Sequence, residues 1–165
     1  MKKILSLLLV LLTLSACGGK ETVKPQIYGI SFTADVTYYN ENYKGECEIS
    51  GDGSLTLKIT EPEILAGYTV TINNDGIKAE YLGIAFTPNP SNMPFSSVMQ
   101  DLYKKITEIA LCDAAEKKGD TYIIKGGKDA DAYTLYISPT GLPLSLDMPD
   151  ERFRVYFYNN KVLSD

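Results

Sequence analysis

Between Ile30 and Tyr38 apolar and polar side chains alternate without a break. Ile30, Phe32, Ala34, Val36 and Tyr38 share one face, while Ser31, Thr33, Asp35 and Thr37 share the other. A period of two with one wet face predicts an antiparallel strand half-buried in a sheet. The pattern then repeats. Asn40-Glu41-Asn42 turns the chain into a strand over 43–50, and Gly51-Asp52-Gly53 turns it into another over 54–59, with Leu55, Leu57 and Ile59 on one side. Pro62 ends that strand, and 63–67 reads as a short helical turn. Tyr68, Val70 and Ile72 alternate next. Asn73-Asn74-Asp75-Gly76 signals a hairpin, because Asp-Gly tolerates the positive φ of a tight turn. Ile77, Ala79 and Tyr81 continue the meander, with a further strand over 84–87.

The period changes after a proline-rich loop over 88–94. From 97 to 118 the spacing is helical: Val98, Met99, Leu102, Ile106, Ile109 and Ala110 fall on one face, and Asp101, Lys104, Lys105 and Glu108 on the other. Ser97 with Gln100 fits a capping box, and Lys117-Lys118-Gly119 supplies a C-terminal stop. Asp113 interrupts the stripe, so its buried seam ends by Ala110. Strands resume over 122–124, 133–137, 142–146 and 153–158, with turns at Gly126-Gly127 and Pro139-Thr140-Gly141. The expected fold is α+β: a curved antiparallel sheet, an open half-barrel of about 8–10 strands, packed on one long α-helix. A sheet of that length curls, and its concave face must be filled by side chains, a helix or a ligand.

The first residues are of another kind. Met1-Lys2-Lys3 is a basic start, and Ile4–Leu14 is an apolar run too short to cross a bilayer stably. The run ends in Leu14-Ser15-Ala16-Cys17, which resembles the lipobox of bacterial lipoproteins. The resemblance implies cleavage before Cys17 and a thioether-linked diacylglyceryl group on it. The plainer alternative is an ordinary secretory signal with an incidental cysteine. The expected organisation is a signal peptide over 1–16, a lipidated tether over 17–26 and one domain over 27–165. The protein is then expected at the cell membrane, lipid-anchored and exposed outside the cytoplasm. Without residues 1–16 the chain carries 14 basic and 21 acidic residues, a net charge of −7. That balance argues against nucleic acid and against adhesion to anionic headgroups, leaving the acyl chains to hold the membrane. The polar stretch Gly18–Pro25 reaches at most about 28 Å.

Chemistry-bearing clusters are sparse. The chain has no histidine, so general-base work would fall to a carboxylate or lysine. The serines lie in strands, turns and caps, with neither a G-x-S-x-G elbow nor a Ser-x-x-Lys motif. Asp129-x-Asp131 lacks the neighbours that complete a calcium site. Glu61 with Glu63, and Asp150 with Glu151, read as solvated acids. No catalytic set, cofactor or metal site is expected. Cys47 and Cys112 read as free thiols in preference to a disulfide, which an exported compartment would permit.

The order Phe32-x-Ala34-x-Val36, Leu55-x-Leu57-x-Ile59 ending at Glu61-Pro62, the Asp75-Gly76 hairpin before Tyr81, a helix, then Leu135–Ile137, Gly141–Leu146 and Arg154–Asn159 is similar to the LolA/LolB-like superfamily. That resemblance implies an envelope half-barrel closed by helices, several members of which bind acyl chains in the hollow. Tyr68, Val70, Ile72 and Tyr81 would line such a hollow, and Phe95, Met99, Leu102 and Ile106 would cover it. The same residues at this spacing also read as plain core. Two functions follow. The first is an anchored protein that binds lipid or lipoprotein acyl chains. The alternative is an interaction module or scaffold for another exported protein, as in sporulation or germination. Twelve tyrosines, some outward-facing at Tyr38-Tyr39 and Tyr156-x-Tyr158, suit the alternative, although strand propensity accounts for them as well.

Overall fold

The computed structural model describes residues 22–89, 94–112, 115–129 and 132–163. Six strands form a first meander: β1 (Ile30–Tyr38), β2 (Glu41–Ile49), β3 (Leu55–Glu61), β4 (Thr69–Asn73), β5 (Gly76–Tyr81) and β6 (Ile84–Phe86). The helix α1 (Pro94–Ala110) follows. A second meander holds β7 (Glu116–Lys118), β8 (Thr121–Gly126), β9 (Tyr133–Ile137), β10 (Pro143–Met148) and β11 (Phe153–Val162). β11 pairs antiparallel with β1, so the two meanders fuse into one 11-stranded sheet ordered β6-β5-β4-β3-β2-β1-β11-β10-β9-β8-β7. The sheet stays open, with β6 and β7 as its edges.

The expected class needs correction. Among the described residues the protein is mostly β, with eleven strands against a single α-helix of 17 residues, and not a balanced α+β fold. The helix begins at Pro94, ahead of the expected capping serine, and stops at Ala110, where the apolar stripe ends. The residues expected as its last turn are instead strand β7. Gly119 takes a positive φ of 63°, and the turn it makes pairs Lys118 with Thr121 and Glu116 with Ile123. All three β7 residues are exposed and charged, so no apolar periodicity marked them as a strand.

Alternation decides the core. Ile30, Phe32, Ala34 and Val36 face inward from β1, and Val155, Phe153 and Phe157 from β11, all buried. Phe32 and Phe157 meet edge to face at 4.8 Å, a favoured aromatic geometry. Ile30, Ile49, Leu55, Ile72 and Ile77 stand in register across five strands at one end of the sheet. That end is covered by the segment before β1. Val23 bridges Ala115, the Gln26 N–H donates to the Gly141 carbonyl at 2.9 Å, and Ile27 is buried. Gly141 is required there. Its φ is +86°, and a Cβ on it would come within 2.4 Å of the Lys24 oxygen.

The concave face is occupied by α1, whose Met99, Leu102, Ile106 and Ile109 are buried in the same core as the inward strand residues. Lys105, expected on the wet face of the helix, is buried too, with its ammonium 5.7 Å from the centre of the Tyr133 ring. A helix lying in a curved sheet is contacted over more of its circumference than one lying on a flat face, which draws a flanking lysine stem inside.

Candidate functional site: a filled hollow and an exposed apolar corner

The half-barrel expected from the resemblance is present as an open, curved antiparallel sheet around a helix. The eight residues expected at its hollow divide into groups. Val70 and Ile72 from β4, with Met99, Leu102 and Ile106 from α1, come together as packed core. Tyr68 and Tyr81 stand half-buried at the rim. Phe95 is in the first turn of α1, and its side chain lies outside the described residues. Under the C-terminal half of α1 the gap bounded by Ile27, Phe32, Ile106, Ile109, Leu135 and Leu146 has a volume of about 10 Å³. That is the room of one water at most, against the several hundred cubic ångströms of a ligand pocket. Among the described residues, the C-terminal half of the helix packs directly against the sheet.

Apolar surface reappears at one corner, at the opposite end of the strands from the Ile30 row. β3 ends in a short 3₁₀ turn, Glu63–Leu65, and β5 turns into β6 through Leu82-Gly83. Ile64, Leu82 and Ile84 are 79%, 83% and 68% exposed. The Tyr81 hydroxyl donates to the Ile64 carbonyl at 2.8 Å, tying the two loops together. Beneath them Tyr68 rests against Tyr81 and Phe86, with ring centres 6.1 and 6.3 Å apart. Leu82 and Gly83 both have positive φ, 52° and 79°, the requirement of a two-residue hairpin that favours Asn-Gly. Leucine in that conformation costs roughly 1–2 kcal/mol, and here the side chain points into water. Sequence reasoning missed Ile64, Leu82 and Ile84. The available signal was a leucine standing where a two-residue turn calls for asparagine.

The charges within the two corner loops have one sign, while Lys44, Lys58 and Lys78 stand on the adjoining strands. Residues 61–68 and 80–87 hold Glu61, Glu63 and Glu80 and no lysine or arginine. Glu61 is paired with Lys44 of β2 at 3.1 Å, and that contact raises the lysine pKa from its ordinary value. Glu63 and Glu80 have no ion pair among the described residues.

The outer face of the sheet is mostly polar, with Tyr156 and Tyr158 exposed on it. An open groove of about 660 Å³ runs over β11, β1, β2 and β3, lined by Thr33, Glu46, Glu48, Thr56, Lys58 and Asn159 among others. Asn159 sits at φ 56° in a β-bulge of β11, where the pairing with β1 shifts between Ser31 and Thr33. This groove mixes hydroxyls and both charge signs, with Ser31 in register between Glu48 and Lys161. Cys47 is buried and Cys112 half-buried, and both are free thiols. Burial pushes the Cys47 thiol far above its ordinary pKa, so it is no nucleophile. Among the described residues no histidine, cysteine and carboxylate cluster could hold a metal ion, and Asp131 lies outside them. No helix among the described residues is long and apolar enough to cross a membrane. Cys17 and the lipobox lie outside the described residues.

No family model matches the chain, and no curated protein matches it. Several solved structures resemble it in fold. An uncharacterized conserved protein from Thermus thermophilus aligns with a TM-score of 0.50 and 9% identity, over 82% of this chain and 79% of that one. A LolA superfamily protein, NE2245 from Nitrosomonas europaea, aligns with a TM-score of 0.37 and 8% identity, over 89% and 88% of the two chains. The first is a likeness of fold alone, and the second is looser still.

Proposed function

We propose that this chain is a lipid-anchored envelope protein whose half-barrel works as an interaction module for another exported protein, and not as a carrier of acyl chains. The observation that carries this reading is the burial of Met99, Leu102, Ile106 and Ile109 against the concave face of the sheet. Acyl-chain binding, the use to which several half-barrels of this kind are put, would require α1 to leave. Exposing Met99, Leu102, Ile106 and Ile109 would cost about 1.5–3 kcal/mol for each side chain. The total, about 6–12 kcal/mol, is as large as the stability of a typical domain. An acyl chain would have to return all of it.

The anchor in this reading is Cys17, supported by the basic start, the apolar run and the small residues before it. Cys17→Ala is expected to move the protein from the membrane pellet to the soluble fraction with its thermal midpoint unchanged. Titration of the folded protein with a fluorescent fatty acid is expected to give no saturable one-to-one binding. A Cys17→Ala protein that stays with the membrane, or a saturable fatty-acid site removed by enlarging Met99 to Trp, would contradict the proposal.

A further inference from the structure

We propose that the apolar corner docks an extended apolar segment, flanked by lysine or arginine, of another exported protein, laid along the open edge of β6. This rests on the reading above that the module works through a protein partner, and it names the surface and the chemistry of that partner.

The two edges of the sheet are treated differently. β7 is guarded: its residues are Glu116, Lys117 and Lys118, and the bridge from Val23 to Ala115 lies just ahead of it. Charges of this kind are how an edge strand avoids unwanted pairing. β6 has the residues Ile84, Ala85 and Phe86, with no charge among them. Among the described residues nothing pairs with the outer edge of β6, and an uncharged edge of this kind is a template for an added strand. Leu82 strengthens the case, since it holds an unfavourable backbone conformation and contributes no buried contact to the fold. Strain kept at an exposed apolar residue points to use in a contact.

Charge selects the occupant. Glu63 and Glu80 flank the patch, so an anionic bilayer and a second copy of this acidic chain would both be repelled. A basic-flanked segment would be attracted. The anchor agrees. Thr22 precedes the Val23 bridge beside the β7 edge, and the five residue-to-residue steps from Cys17 to Thr22 span at most about 18 Å. The corner is at the other edge of the sheet and the other end of its strands, where it is offered away from the membrane.

The test uses the full chain purified from membranes and short fluorescein-labelled peptides of alternating valine and threonine. One peptide is flanked by lysines, one by glutamates, and a third is the lysine form with alternate backbone amides N-methylated. The lysine form is expected to bind at least about tenfold more tightly than either of the others. Leu82→Asn, which relaxes the turn and removes the apolar tip, is expected to weaken that binding at least about tenfold without lowering the thermal midpoint. Equal binding of the lysine and glutamate peptides, or binding unaffected by Leu82→Asn, would overturn the proposal. So would a concentration-dependent dimer that Leu82→Asn abolishes. Bilayer docking is read separately from a fluorophore on Ile64→Cys, in a Cys112→Ser background, in phosphatidylglycerol vesicles containing a nitroxide lipid. Little quenching is expected, and strong quenching would overturn the proposal in favour of the bilayer. If the peptides fail and the fatty-acid titration is also blank, the docking mode falls while the interaction module stands. If fatty acid binds in the hollow and the lysine peptide still depends on Leu82, the docking mode stands and the non-carrier reading falls.

Discussion

Leu82, Lys105 and Tyr133 illustrate how single residues here depart from what their neighbours in sequence imply. Tyr133 is buried under Lys105 and close to Cys112. Burial, with the nearby Cys112 and Glu108, pushes its phenol up to about 12. Burial and the hydrogen bond that its hydroxyl donates to Glu41 push Tyr43 to about 12 as well, and burial raises Cys47. All three groups keep their protons in the folded state at a pH where the unfolded chain has begun to lose them. Their contribution is therefore complete below the ordinary thiol and phenol pKa values and is lost as pH rises through the folded values. Thermal midpoints should be flat from neutral pH to about 8.5 and fall steadily between about 9 and 11.5. In Tyr133→Phe the fall above about pH 10 should be shallower, because one of the linked protons is gone. A midpoint independent of pH across that range would show these groups to be solvated.

At the scale of elements, alternation carried most of the fold. The inward faces of β1, β3, β4 and β5 were legible because each apolar residue is followed by a polar one. α1 was legible through its Met99, Leu102, Ile106, Ile109 stripe. β7 was not, because Glu116, Lys117 and Lys118 have no apolar member to set a period, and only the register with β8 makes them a strand. Gly126 carried no warning either. A Cβ there would fall within 2.6 Å of the Tyr133 hydroxyl and two atoms of its ring, a close approach across a strand pair that no local pattern reports. Gly126→Ala should displace that ring and cost about 1–3 kcal/mol by overpacking. Ile106→Ala should cost about 2–5 kcal/mol, because α1 fills the hollow and leaves little space to collapse. Both are read by denaturant unfolding. An Ile106→Ala loss under about 1 kcal/mol would mean that the helix is not seated as described.

For the whole molecule, the half-barrel was legible and the state of its hollow was not. The residues expected to bind a ligand are the same types, at the same spacing, as those that pack a core, and only the three-dimensional fit of α1 separates the two. The apolar corner was hidden for another reason: Ile64 and Leu82 come from loops about twenty residues apart in the chain, joined by the Tyr81 hydroxyl. In the function proposed, the helix and not a lipid occupies the half-barrel of an anchored protein. Native mass spectrometry of the chain extracted gently from its own membranes tests this most directly. The predicted result is a single species whose mass is the chain from Cys17 onward plus its covalent acyl groups. A second species heavier by one non-covalent lipid, lost on mild activation and absent when Met99 is enlarged to Trp, would contradict it.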